Sequence, residues 1–303
     1  MEKKKLNILV TGSSGQLGRC LKDASKESDD CWMFFDHKDL DISNLDNVES
    51  VIYDNFIDVV VNCAAFTNVE KCEDRSYFDI VHNTNITGPE NIASVLKKIG
   101  GTLIHISSDY VFGGTRKDYA YDEYTDFCSP LNTYGRSKMN AERRIRTVNG
   151  NFLIIRTGWL YSEYGNNFML TMMDKFRTNE SVNVVINQIG TPTYAGDLAN
   201  FIVHIIEERK DVVPEKSADT IQEVYHYTNE GVASWYDFAC AIKEYGNFNV
   251  DVKPCYDFDL HYKAERPSFS VLDKSKVKNT FGIKIPYWRD SLNTCITKLM
   301  SNK

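Results

Sequence analysis

No two cysteines in this chain are spaced C-x-x-C, no apolar stretch approaches 18 residues, and no dense basic run exists beyond Lys3-Lys4-Lys5. The eight cysteines, at 20, 31, 63, 72, 128, 240, 255 and 295, and the six histidines are dispersed without metal-ligand spacing. They read as small buried thiols in a reduced protein, and no metal is expected. A membrane helix needs about 20 consecutive apolar residues, and the apolar run Leu6–Val10 is too short for a signal-peptide core and ends in a glycine turn. The expectation is a soluble, cytoplasmic protein with no membrane partner. Thirty-five basic against 42 acidic residues leave a net charge of −7, which argues against nucleic acid as the main partner, because phosphate binding relies on clustered Lys and Arg. Lys3–Lys5 reads as a solvated tail. Internal repeats and low-complexity blocks are also missing. What remains, at 42% hydrophobic and 25% charged over 303 residues, is ample for one large or two smaller globular domains.

The first half alternates short, β-branched apolar runs with helix-length periodicity. Leu6–Val10, Cys31–Asp36, Asp58–Ala65, Thr102–Ser107 and Asn151–Thr157 read as buried strands. Gln16–Ser25, Leu45–Phe56, Ser76–Ile99 and Thr133–Val148 read as the helices between them, with Asp46 as a cap for the second. Such alternation implies an α/β fold, a doubly wound parallel sheet of Rossmann type covered by helices on both faces. The second half changes character. Gly165–Arg177, Asp197–Glu208 and Trp235–Tyr245 read as helices, Val182–Gln188 and Val224–Thr228 as strands, and the polar run Glu207–Gln222 as a surface connection. Beyond Gly246, Pro254, Pro267 and Pro286 punctuate what reads as irregular chain. The expected organisation is a dinucleotide-binding core over residues 1–160, to which 190–228 returns. A smaller lobe from 161–189 and 229–303 would bind substrate.

Thr11-Gly12-Ser13-Ser14-Gly15-Gln16-Leu17-Gly18 follows the first strand and opens the first helix, the context that turns a glycine pattern into a dinucleotide-binding expectation. Gly12 would make the tight turn, Gly15 would admit the pyrophosphate, and Gly18 would allow close helix–sheet packing. Amides of Ser14 through Leu17 at the helix N-terminus favour phosphate charge. Asp36, 18 residues past Gly18, is placed to accept from the adenosine ribose, which favours NAD. His37 and Lys38 follow and could accommodate a 2′-phosphate, so both cofactors stay open. Asp41-Ile42 could meet adenine, with a capping role equally available to Asp41.

Tyr134 and Lys138 lie four residues apart on a predicted helix and so share a face. A phenol near pKa 10 is a poor acid or base at neutral pH, and a neighbouring cation would bring it towards the working range. Alone the pair is weak evidence, since about one Tyr-x-x-x-Lys is expected by chance in this composition. The upstream Ser107-Ser108 pair and the glycine loop give it weight. Ser108 reads as the hydroxyl beside the phenol, and Ser107 as one that satisfies a strand-end amide.

Gly12-x-x-Gly15-x-x-Gly18 with Tyr134-x-x-x-Lys138 resembles the extended short-chain dehydrogenase/reductase family. Within it the chain is similar to the dTDP-4-dehydrorhamnose reductase branch. That likeness is carried by Val61–Glu70, by Ser107-Ser108-Asp109-Tyr110-Val111-Phe112-Gly113-Gly114 and by Ser129–Gly135. Arg156-Thr157-Gly158-Trp159-Leu160-Tyr161, Gly165–Phe168, Gly190–Thr193 and Arg266-Pro267 continue it. The resemblance implies NADPH as cofactor, with NADH as the alternative, and a dTDP-sugar ketone as substrate. It implies Ser108, Tyr134 and Lys138 as the catalytic set, and Ala64, Ala65 and Thr67 on the nicotinamide side. Asp109, Tyr110 and Trp159 would be sugar contacts, and Asn167 and Arg266 contacts to the diphosphate. Some members bind magnesium between subunits through glutamates. Here Gly196-Asp197 follows Pro192-Thr193-Tyr194-Ala195, so no metal is expected, and the protein would be a monomer or homodimer.

Two other classes share these motifs. An epimerase or dehydratase of another sugar nucleotide would use the same Tyr and Lys while keeping its cofactor through the cycle. A non-catalytic NADP-binding subunit, resembling the regulatory subunit of methionine adenosyltransferase, would need the loop but not the proton donor. Having Ser108, Tyr134 and Lys138 together favours an enzyme.

Overall fold

The computed structural model describes residues 5–114, 119–124, 127–208 and 220–301. Most of the Lys3–Lys5 run and residues 209–219 of the polar connection lie outside them. Among the described residues, no helix is long and apolar enough to cross a membrane.

Five short apolar segments form the predicted strands: β1 (Asn7–Thr11), β2 (Cys31–Phe35), β3 (Val59–Asn62), β4 (Thr102–Ser108) and β5 (Asn151–Thr157). With a sixth, Gln222–His226, they make one parallel sheet, from that strand through β5, β4, β3 and β1 to β2. This order reverses between β1 and β3, since β2 lies on one side of β1 and β3 on the other, the switch point at which open α/β sheets place ligands beyond their strand C-termini. The near-continuous hydrophobicity of β3, all four residues buried, is what a strand covered on both faces requires. One apolar layer packs Leu17 and Leu21 of the first helix against Leu198 and Ile202 of helix Ala195–Glu208. The other holds Val48, Ile92 and Leu96.

Several expected elements change at their ends or break. Asn44, not Asp46, caps helix Leu45–Asp54, accepting from the Asn47 N–H; it stands in extended backbone just before the helix, where its side-chain oxygen meets the free N–H, whereas Asp46 already lies within the first turn. The predicted helix Ser76–Ile99 is interrupted by a π turn at Asn83–Thr87 ahead of helix Gly88–Ile99. Pro89 has no N–H to donate to the preceding turn, which locally breaks the i→i−4 ladder. The tail is more regular than its prolines suggest. Asp251–Cys255 pairs with Ser181–Val185, and helices Ser275–Phe281 and Trp288–Ser301 follow.

A second core, around Met169, Met173, Phe176, Phe238, Ile242, Trp288 and Leu292, joins helices Phe168–Thr178, Trp235–Tyr245 and Trp288–Ser301. Val277 and Ile285 of the tail instead belong to the first core, so the C-terminal segment bridges both.

Candidate active site

A cleft of about 520 Å³ opens above the C-terminal ends of β1, β3, β4 and β5. Gly12 has φ +64°, and a Cβ there would sit 2.7 Å from the Ala64 backbone nitrogen. Gly18 has no room either, but its close neighbours are Gly12 O and Ser13 of the loop itself at 2.6 Å. The tight packing assigned by sequence to helix and sheet is therefore helix against loop. Gly15, Gln16, Leu17 and Gly18 line the cleft, whereas Ser14 faces a neighbouring cavity with Arg19 and Lys22. Backbone pressed this closely, at a helix N-terminus, suits a pyrophosphate.

Around the end of β2, Asp36 accepts from the Lys38 N–H through one carboxylate oxygen at 2.8 Å, and the second oxygen is not used by that turn. His37 and Lys38 are exposed. Asp41 caps the turn at Ser43, accepting from its N–H and hydroxyl. The Ile42 side chain turns inward, buried in the core beneath Gly88, which leaves only its backbone to face an adenine. Ala65 and Thr67 line the cleft; Ala64 is instead pinned under Gly12 and donates to Asn62 Oδ1.

Helix Thr133–Val148 carries Tyr134 and Lys138. Its start is fixed from three sides: Asn132 Oδ1 accepts from the Gly135 N–H, Asn132 donates to Glu265 O, and Glu73 takes the N–H and hydroxyl of Thr133. Gly135 fits because any Cβ would meet Tyr110 O at 2.1 Å. Ser108, at the end of β4, accepts from the Tyr110 N–H, donates to Asp109 Oδ1 at 3.0 Å and is hydrogen-bonded with the Tyr134 phenol. Lys138 Nζ, only 2% exposed, donates to Ile106 O at 2.6 Å. All three side chains line the same cleft.

The charge states differ from the expected pattern. Burial raises the Tyr134 pKa above its ordinary value, with Ser108 opposing and Asp109 adding to the rise. Lys138 donates to the Ile106 carbonyl, and burial, Ser108 and Asp109 rather than the expected lysine set the phenol's shift. Burial lowers Lys138 itself to about 8, partly countered by Glu142. Tyr134 is thus held in its protonated form at neutral pH, the form a proton donor needs, although burial also makes it a weaker acid. Asp109 is pushed up to about 6 by burial. Cys63 also lines the cleft, but burial pushes its thiol up to about 12, which removes it as a nucleophile.

Tyr110 packs its ring edge against Tyr134 and is hydrogen-bonded with Arg266. Trp159, with φ +50°, lines the cleft and stacks on Trp235 at 3.6 Å and 3° between planes. Trp235 was not legible in the sequence as a site residue; it opens helix Trp235–Tyr245 of the second core, and nothing in its local pattern points to a ligand. It also borders an adjoining cavity of about 380 Å³ that holds Arg266, Lys175 and Tyr262. Arg266 lies over the Tyr262 ring and pairs with Glu70 at 2.8 Å. Asn167 does not face either space with a free group: its oxygen caps helix Phe168–Thr178, and its amide donates to Gln16, Ser162 and Tyr164. Its neighbour Asn166 lines the cleft.

The chain matches the family model of the RmlD substrate binding domain over residues 6–301. It is 36% identical to a dTDP-4-dehydrorhamnose reductase of Aggregatibacter actinomycetemcomitans, over 94% of this chain and 96% of that protein. The chain belongs to the dTDP-4-dehydrorhamnose reductase family. A solved family member from Clostridium acetobutylicum is 35% identical with a TM-score of 0.89, covering 97% of this chain and all 100% of the other. A second, from Bacillus anthracis in complex with NADP, is 32% identical with the same score of 0.89 and the same coverage, 97% and 100%. In this family member, among the described residues, no three His, Cys, Asp or Glu side chains are grouped as metal ligands. Asp197 is engaged by Asn229 and Ser291.

Proposed function

We propose that this protein reduces the 4-keto group of dTDP-4-dehydro-L-rhamnose to give dTDP-L-rhamnose, with NADPH as reductant. The observation that carries the reading is the convergence of Ser108, Tyr134 and Lys138 on the cleft lined by Gly12, Gly15 and Gly18. The glycine loop and the helix that it opens would hold the pyrophosphate, Asp36 the adenosine ribose, and Ala65 and Thr67 the nicotinamide side. Bound NADPH supplies the hydride to C4 of the sugar.

Tyr134 donates its proton to the sugar O4 as negative charge develops there. Ser108 orients the same oxygen, and Lys138 offers its ammonium to the nicotinamide ribose. Trp159 and Tyr110 wall the sugar. Arg266 and Lys175, beyond Trp235, supply positive charge for the diphosphate, which Arg binds well through its planar fork. Asn167 acts indirectly, by fixing Gln16 and the start of helix Phe168–Thr178.

Ser108→Ala is expected to lower kcat by about 2.7–4 kcal/mol of barrier, with little change in KM, as for removal of an oxyanion-hole donor. Steady-state kinetics check this; a rise in KM at constant kcat would assign Ser108 to ground-state binding instead. The function is tested by following NADPH and NADH oxidation with dTDP-4-keto-6-deoxy-L-hexose beside UDP- and GDP-linked ketosugars. Turnover of the dTDP sugar is expected. Isomerised sugar without net NADPH consumption would overturn the reductase reading in favour of an epimerase.

A further inference from the structure

A buried ion pair lies directly behind the catalytic residues. Glu142 and Arg156 are 3% and 4% exposed. Arg156 grips the carboxylate from two sides, Nε to Oε1 at 2.9 Å and Nη2 to Oε2 at 2.7 Å. Ser107 donates to the same Oε1 at 2.6 Å, rather than serving a strand-end amide. The guanidinium is further held by His226 on the sixth strand and by Cys128, and it lies over the Phe112 ring.

Each member of this network is close in sequence to a residue of the cleft. Ser107 precedes Ser108 on β4. Glu142 follows Lys138 by four residues, one turn along the same helix face. Arg156 lies on β5, three residues before Trp159. One cluster therefore ties together the three elements whose ends carry the hydroxyl, the ammonium and the aromatic wall.

A buried pair is weak evidence for stability, because apolar side chains of similar volume often replace one at no cost to the fold. Its hydrogen-bond geometry, in contrast, is specific. We propose that Glu142 and Arg156 are a positioning pair for the reduction, which sets the register of helix Thr133–Val148, and with it Lys138, against β4 and β5. The proposal rests on the reading of Ser108, Tyr134 and Lys138 as the reductive set.

The groups facing Lys138 leave Glu142 as its charged neighbour. Cys63, at the end of β3, is a neutral thiol; His105 of β4 is buried, which lowers its pKa and keeps it neutral; Tyr134, one turn earlier, keeps its proton. Glu142 favours the ammonium, and burial opposes it. The cation is present below its pKa of about 8 and lost above it. Removing the carboxylate must therefore move that loss to lower pH.

The test compares wild type, Glu142→Gln and the double variant Glu142→Leu/Arg156→Met, by thermal melting, NADPH binding across pH from nicotinamide fluorescence, and kcat and KM. In Glu142→Gln, the alkaline loss of NADPH affinity is expected to move down by about one pH unit. The double variant is expected to melt like wild type while kcat falls about a hundredfold, the scale of a small misplacement at the reacting atoms. A folded double variant with wild-type kcat and binding profile overturns the proposal. A double variant that cannot fold also counts against it, because the pair would then hold the fold rather than the register. If Glu142→Gln does not fold, the double variant decides alone. Wild-type protein that binds NADPH without reducing any ketosugar removes the reductase reading and leaves the binding profiles to decide the pair's role.

Discussion

Tyr134→Phe is expected to reduce kcat for the ketosugar by about 10²–10⁴-fold, the usual contribution of a positioned general acid. NADPH affinity should be nearly unchanged. The phenol oxygen is the group removed, while the ring edge packed on Tyr110 remains. Because burial holds the Tyr134 proton well above neutral pH, the wild-type rate should show no alkaline limb from this residue between pH 6 and 9, a window whose upper end is already about one unit below a phenol's ordinary value. Any fall in that window should follow Lys138, whose cation is lost as pH rises through about 8. Single-turnover reduction by enzyme pre-loaded with NADPH separates chemistry from binding. Turnover within twofold of wild type, for which about 0.4 kcal/mol suffices, would remove Tyr134 from the reaction.

Gly12→Ala should be the most damaging substitution in the cofactor loop. The residue has φ +64°, and a Cβ would press to 2.7 Å from Ala64 N and 2.9 Å from the Cys63 carbonyl carbon. Both are backbone atoms at the end of β3 and cannot rotate aside. Left-handed backbone without glycine costs about 1–2 kcal/mol, and forced overpacking adds about 1–3 kcal/mol. The expected result is a lower melting temperature together with loss of the NADPH-dependent thermal shift. Gly282→Ala is the control: it has a similar φ of +63° but no atom within 4 Å, so only the conformational cost applies and NADPH binding survives. Equal effects at both sites would show that the close approach to Ala64 plays no part.

That Ser108, Tyr134 and Lys138, the proposed catalytic set, would share one cleft was legible because the pattern that carries them is local. Tyr134 and Lys138 share one helix face, and that helix runs over the predicted residues Thr133–Val148. Ser108 ends a strand, and the glycine loop lies between β1 and the first helix. Strand–helix alternation is a pattern of nearest neighbours, and a parallel sheet buried on both faces leaves it plainly in the hydrophobicity. The tail was misread because Pro254, Pro267 and Pro286 mask Asp251–Cys255 and helix Trp288–Ser301. Pro254 is tolerated because a two-stranded pair leaves one side of its strand without a ladder.

Composition, turn glycines and helix periodicity by themselves determined a nucleotide-binding α/β core and the residues able to protonate an oxygen. Only the tertiary structure decided the states and surroundings of those residues. Burial, not the neighbouring lysine, governs the Tyr134 proton; Lys138 finds Ile106 O; Trp235 arrives from the second core to stack on Trp159; and Glu142 meets Arg156 behind the cleft. The reason is physical. Secondary structure follows from contacts a few residues apart, whereas desolvation and cross-chain pairing depend on what packs around a group after the chain has closed.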